Sequence, residues 1–551
     1  MDEQKIYKPD NLSGNKNEFT ELITLQEASN WASKLTNKEV TLPNITYLIQ
    51  YGLIKKHNNG NGITLVSRNE LREYYNSRLY KRQVNWKKKL GNDINWHLSF
   101  ENVKEAETTK HVHRLHPYKG KFIPQLVEYF LDENVDEFKT NAYFHPGDII
   151  LDPFCGSGTT LVQANELGIN ALGIDISSFN SLISNIKVGD VDLNNLNFQI
   201  KRINKVINKY VFETGILKFD QKLLMELNKF NQKYFPSPDF KYKAKRGEID
   251  VEAYGKKHET IFLKTYNQLV QAFRIEFYNG NTDSFLGKWY IKPILNEINL
   301  VLEEIEKTDD PETKNILRVI LSRTIRSCRA TTHSDLVTLK EPMVTTYFCA
   351  KHGKICKPLF TILQKWLLYS SDTVKRFVAF NQVKTATKQI CITGDSRKID
   401  IVEEIEKINL NFAKSIRNNK IKGIFTSPPY VGLIDYHEQH AYAYELFGFQ
   451  RKDDLEIGPL QKGRSKQAQE NYIQGISEVL VNCKKYLQSG YDVFLVANDK
   501  NNLYPKIADN SGMTIVNEFK RPVLNRSERD KSAYAESIFH LREKNHGYKS
   551  K

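Results

Sequence analysis

Residues 149–175 read IILDPFCGSGTTLVQANELGINALGID, and Asp152, Gly156, Gly158 and Asp175 are the first residues whose types and spacing suggest chemistry. Asp152 follows an apolar run, the two glycines flank Ser157, and Asp175 closes a second apolar run nineteen positions after Gly156. An acidic residue at the tip of a second strand accepts hydrogen bonds from both hydroxyls of a ribose held over a glycine loop. That pattern reads as a nucleoside-cofactor site. The single G-x-G lacks the third glycine of the dinucleotide fingerprint. Asp152 also puts a carboxylate in the loop, where it repels a pyrophosphate and attracts an ammonium. The charge favours S-adenosylmethionine, with its cationic amino acid end and no phosphate, over NAD.

A second chemical stretch lies far downstream, IKGIFTSPPY at 421–430. Two successive prolines have no backbone N–H, so the carbonyls before them can face a substrate without being drawn into a sheet or helix. The Ser427 hydroxyl and Pro428 carbonyl can take the two hydrogens of an exocyclic amine while the Tyr430 ring stacks on a base. Holding an amino nitrogen in line with a sulfonium methyl is positioning chemistry, which contributes up to roughly 7–11 kcal/mol in ideal cases. Alone, S-P-P-Y reads equally well as a turn before a loop.

The elements around these residues are a strand over 149–151, a helix marked by Leu161, Val162, Ala164 and Leu167, an αL cap at Gly168, and a strand over 171–174. Ile424 and Phe425 mark a further strand that ends on Ser427. With both motifs together, the chain resembles the DNA amino-methyltransferases, which methylate cytosine N4 or adenine N6. That family carries D-P-F-x-G-S-G-T-T as its cofactor loop and [D/N/S]-P-P-[Y/F/W] as its catalytic motif, S-P-P-Y being the form usual in N4-cytosine enzymes. The resemblance spans roughly 95–190 and 386–545 of the chain. It assigns Asp152, Phe154, Gly156, Gly158, Thr159 and Asp175 to the cofactor, and Ser427, Pro428, Pro429 and Tyr430 to catalysis. It further implies a wall from Phe122 and Pro124 over the methionine end of the cofactor, and Asp395 of ICITGDS beside the adenine.

The resulting expectation is an α/β protein: a Rossmann-like methyltransferase sheet with a large, mostly helical insertion and an N-terminal winged helix-turn-helix module. Residues 1–20 read as disordered, and 23–75 resemble winged modules of the excisionase and MerR type, with a capping box from Ser67 to Glu70. The expected boundaries are 1–85 for the N-terminal part, 86–190 and 386–551 for the methyltransferase domain, and 191–385 for an inserted target-recognition domain. Within the insertion, 317–329 reads as one helix carrying Arg318, Arg326 and Arg329, candidates for DNA phosphates; Arg521, Arg526 and Arg529 form a second set in a charged loop. Each set also reads as a solvated basic face. Cys349, His352 and Cys356, with Cys328 and His333 upstream, could supply zinc ligands, but C-x2-H-x3-C is not a standard finger spacing. Packing of buried cysteines is the expected reading, with no metal. A nuclease motif around Asp239 and Glu252 fails because Tyr254 stands where a lysine is needed.

The chain has 551 residues with 80 Lys and Arg against 65 Asp and Glu, a net charge of +15 that suits a polyanionic partner. It has no run of 18 apolar residues and a polar start, so a cytoplasmic protein without membrane association is expected. Six scattered cysteines point to reduced thiols. The function expected is sequence-specific transfer of a methyl group from S-adenosylmethionine to cytosine N4 in double-stranded DNA, with base flipping. Adenine N6 is the alternative, and a non-catalytic DNA-binding regulator the alternative of another class. Carbon-5 chemistry needs a nucleophilic cysteine, usually in a Pro-Cys pair, and the chain has none. The resemblance also implies a restriction-modification context with a cognate restriction endonuclease.

Overall fold

The computed structural model describes residues 21–36, 39–59, 62–76, 79–278, 283–335, 339–524 and 533–544. The expected disorder of 1–20, and the candidates Arg526 and Arg529, lie outside the described residues. Twelve strands run through the described chain: β1 Leu22–Thr24, β2 His57–Asn58, β3 Thr64–Ser67, β4 Ile149–Asp152, β5 Asn170–Asp175 and β6 Tyr347–Cys349, then β7 Lys354–Cys356, β8 Gln389–Thr393, β9 Ile421–Thr426, β10 Leu487–Ala497, β11 Met513–Pro522 and β12 Ala535–Glu543.

The chain forms two compact units: Met1–Asn85 with Leu224–Thr265 and Thr346–Cys356, and Trp86–Leu223 with Tyr266–Thr345 and Lys357–Lys551. The segment expected as one inserted domain, 191–385, is therefore divided between both units.

In the first unit, β1, β3 and β2 form an antiparallel sheet in that order, joined to helices Leu25–Thr36, Leu42–Gln50 and Arg68–Asn76. Ala28, Ala32, Ile45, Leu48, Ile49, Val66 and Leu71 make a common core, the result of apolar residues at helical spacing meeting a strand of alternating pattern. Ser67 accepts the Glu70 N–H at 3.4 Å, but the Glu70 carboxylate turns away to Lys55 N–H and the Tyr242 hydroxyl, at 2.6 and 2.8 Å. The expected capping box is therefore not reciprocal.

In the second unit a seven-stranded mixed sheet has the order β11-β12-β10-β9-β4-β5-β8. Strands β10, β9, β4, β5 and β8 are parallel, and β12 and β11 add antiparallel pairings at one edge. Burial on both faces explains the near-continuous apolar character of β4 and β9. Strand β11 lies within and before what reads as a charged loop; its exposed residues, Thr514, Val516, Asn517 and Glu518, are mostly polar and break up any apolar run. Helices Leu193–Glu213, Lys292–Glu306, Pro311–Ser327 and Leu363–Asn381 pack on one another and on the helix Ser178–Val188 that follows β5. They pack mainly on one another, and Pro311–Ser327 joins them to the helix Ser178–Val188, so this part of the insertion lies in the same compact unit as the sheet.

Candidate active site

The loop between β4 and the helix Thr159–Glu166 is shaped by two glycines in left-handed geometry, Gly156 at φ 53° and Gly158 at φ 73°. A Cβ on Gly158 would meet Ser184 at 2.9 Å, so both backbone angle and space require glycine there. The Gly156 N–H donates to Asp175 Oδ2 at 2.7 Å, while Ser177 N–H and Asn180 Nδ2 donate to Oδ1 at 2.9 and 3.0 Å. The carboxylate at the tip of β5 thus clamps the glycine loop. Burial pushes its pKa up to about 6, and those three donors pull the other way. An ionised carboxylate offers about four acceptor positions, so three internal donors leave room for one strong external hydrogen bond rather than two.

A cleft of about 860 Å³, counted with its open mouth, lies over this loop. Phe122, Phe154, Gly156, Thr159, Asp175, Asp395, Ser427 and Pro429 line it as the motifs suggest. The sequence reading missed Tyr118, Lys121, Asn180, Tyr436 and Glu456. Tyr118 and Tyr436 stack with ring centroids 6.1 Å apart, and the Tyr118 hydroxyl would lie 3.1 Å from a Cβ on Gly156. Two buried polar atoms of lining residues, Ser157 Oγ and Asn180 Oδ1, find no partner among the described residues. Such atoms cost free energy unless a ligand or water satisfies them, so the cleft suits a ligand rich in hydroxyl and amino groups.

Five assigned residues stand outside the lining, among them Gly158, whose left-handed backbone shapes the loop from behind it. Asp152 is buried behind it, accepting from the Thr426 hydroxyl at 2.5 Å and from Phe154 N–H at 3.2 Å. It ties β4 to β9, and burial pushes it up to about 6, so the charge argument from Asp152 does not act at the cleft surface. Pro124 is buried at the first position of the helix Pro124–Leu131, where its missing N–H costs nothing. Pro428 is buried, and Tyr430 directs its hydroxyl to Glu536 Oε1 at 2.9 Å. Ser427 Oγ donates to the Val496 carbonyl at 3.1 Å. That bond fixes the hydroxyl proton on β10 and leaves the oxygen's lone pairs as acceptors at the cleft.

Asp395, expected beside the adenine, is held by the Arg397 guanidinium through two 2.8 Å bonds. Lys121 donates to the His113 carbonyl at 2.7 Å, and burial lowers its ammonium to about 8.

A family model described as DNA methylase, of the N6/N4 class, matches residues 6–185. The chain is 46% identical over 526 residues to the type II methyltransferase M.MjaII of Methanocaldococcus jannaschii, covering 95% of this chain and 97% of that protein. This chain belongs to the N6/N4 DNA methylases. A second relative, the type II methyltransferase M.BsoBI of Geobacillus stearothermophilus, is 26% identical over 375 residues, 67% of this chain and 60% of that protein. The methylase is a site-specific, type II enzyme of restriction-modification systems, and its methyl donor is S-adenosylmethionine.

The arginines selected from sequence are mostly engaged within the methylase. Arg521 is buried, donating to Glu536 Oε2 at 3.1 and 2.8 Å, and so it buttresses the carboxylate that holds Tyr430. Arg318 pairs with Glu306 at 2.6 Å. Arg329 falls past the end of the helix Pro311–Ser327, is buried, and donates to the Arg326 carbonyl at 3.0 Å. Arg326 is half-buried near His440, whose pKa burial lowers to about 3 with help from Arg326. That helix is buried over most of its turns, so its cations meet protein before solvent.

Proposed function

We propose that this methylase transfers the methyl group to the N4 amino group of cytosine, in double-stranded DNA, with the target base rotated out of the stack. The observation that carries the reading is Ser427: its proton is committed to Val496, so toward the cleft it acts as an acceptor. An exocyclic amine brings two N–H donors and a lone pair delocalised into the ring. Accepting those hydrogens at Ser427 and at the Pro428 carbonyl draws the nitrogen toward a pyramidal shape and frees its lone pair. The cofactor supplies an electrophilic methyl on sulfur; the nitrogen lone pair forms the new C–N bond, the C–S electrons stay on sulfur, and one amine proton leaves to solvent. Tyr430, held by Glu536 and Arg521, is the stacking platform for the flipped base.

In this reading Asp175 Oδ2 accepts one ribose hydroxyl and Asn180 Oδ1 the other, Asp395 lies at the adenine, and Lys121 meets the cofactor carboxylate beside Phe122. The helix-helix-hairpin-helix part of the first unit acts as a winged DNA-contact module, through the helix Leu42–Gln50. A cognate restriction endonuclease is the partner that the type II context supplies. Adenine N6 is the second reading, favoured by the shared chemistry of both amines.

Ser427→Ala tests the assignment. Single-turnover methyl transfer is expected to fall about 100-fold, the usual scale for one oriented polar group, with cofactor affinity unchanged. An undiminished rate would remove Ser427 from the chemistry.

A further inference from the structure

The hairpin of β6 and β7, in the first unit, carries the C-x2-H-x3-C pattern, and folding brings its three donors together. The antiparallel register pairs Cys349 with Lys354 and Tyr347 with Cys356, so both cysteines project from one face as diagonal neighbours. His352 sits in the connecting turn, where its own N–H and that of Gly353 donate to the Cys349 carbonyl at 3.1 and 2.7 Å. The turn brings the imidazole back over the thiols: His352 Nδ1 lies 3.4 Å from Cys356 Sγ. All three donor atoms are within 4.8 Å of one another. Two sulfurs on a tetrahedral zinc stand roughly 3.8 Å apart, given Zn–S bonds of about 2.3 Å, so small side-chain shifts suffice to ligate one ion.

The surroundings hold these donors in place. Both thiols are buried and neither is in a disulfide. The turn is built to fit closely: Gly353 has φ 62°, and a Cβ there would meet the Lys241 side chain at 2.9 Å. Three-residue strands do not hold a hairpin alone. Polar clamps support this one, with Asn231 bridging the N–H and carbonyl of Ile355 at 3.0 and 2.9 Å and Phe348 N–H donating to Glu259 at 2.9 Å.

We propose that Cys349, His352 and Cys356 bind one structural Zn²⁺ ion. Two thiolates and a neutral imidazole match the borderline-soft, tetrahedral preference of zinc. Binding releases the two thiol protons and leaves one position for a further ligand. The ion fastens the hairpin against Lys241, on the helix Asp239–Lys245. That helix contacts the N-terminal module through the Tyr242 hydroxyl on Glu70 at 2.8 Å and Lys241 over the Tyr51 ring at 4.7 Å. The metal thereby braces the part of the first unit proposed to meet DNA.

The test is metal analysis of the full-length protein purified from zinc-supplemented cells. About one zinc per chain is expected to survive gel filtration, and exchange for Co²⁺ should give thiolate-to-cobalt charge-transfer absorption. Cys349→Ser and Cys356→Ser should each lower bound zinc at least about tenfold, whereas Cys328→Ser should leave it unchanged. Should the two ligand variants fail to fold, the unaltered protein still decides, by zinc content and by release of thiol reactivity on chelation. Less than about a tenth of a zinc per chain after incubation with the metal, or a Cys349–Cys356 disulfide in its place, would overturn the proposal.

Discussion

Asp175 carries two opposed electrostatic demands. Its pKa is raised to about 6 in the folded protein by burial, above the usual carboxylate value. Such a shift stabilises the fold fully below the unfolded pKa, and that contribution is lost as pH rises through about 6. A ribose hydroxyl prefers the ionised form, so cofactor binding has the reverse slope. Calorimetric titration with S-adenosylmethionine should show affinity rising from about pH 5 to about pH 7 and level above it. Asp175→Asn should bind weakly at every pH with the slope gone, and a wild-type Kd indifferent to pH over this range would refute the assignment. Asp175, Ser427 and Gly156 line the cleft and stood out in the sequence because short side chains on fixed backbone leave a compact signature. Tyr118, Asn180, Tyr436 and Glu456 were not, since only the fold gathers them at one cleft. Arg521 was misread because a sequence cannot distinguish a solvated cation from one buried on Glu536.

The parallel strands β4, β5 and β9 could be read directly, as apolar runs of strand length. β11 escaped because an edge strand exposes polar residues and its alternation resembles a loop. The helix Pro311–Ser327 was visible as a helix, but its face was assigned to DNA rather than to neighbouring helices, since periodicity reveals a buried stripe and not what covers it. Close strand contact supplies the sharpest element-scale prediction. Gly423, in β9, has no room for a side chain: an added Cβ would lie 2.1 Å from the Asp492 carbonyl oxygen on β10 and 2.9 Å from the Phe144 ring. Gly423→Ala should destabilise the fold by about 1–3 kcal/mol or more, seen as a lower denaturant midpoint. An unchanged midpoint would show that the two strands are not packed as described.

The whole molecule combines a sheet domain, with a cleft over its glycine loop, and a smaller unit built from three separated chain segments. Its net charge of +15 suits a polyanionic substrate, although the named arginines show that net charge alone does not locate the contact surface. Among the described residues no helix is long and apolar enough to cross a membrane. The division into units could not be read from sequence, because contacts between segments hundreds of positions apart decide it. Family membership fixes amino methylation of DNA, and the choice of cytosine N4 is the proposal drawn from the S-P-P-Y motif. The most direct measurement is nucleoside mass spectrometry of unmethylated plasmid DNA after incubation with the purified enzyme and methyl-labelled S-adenosylmethionine. The account predicts label in N4-methylcytosine; label in N6-methyladenine alone would contradict it.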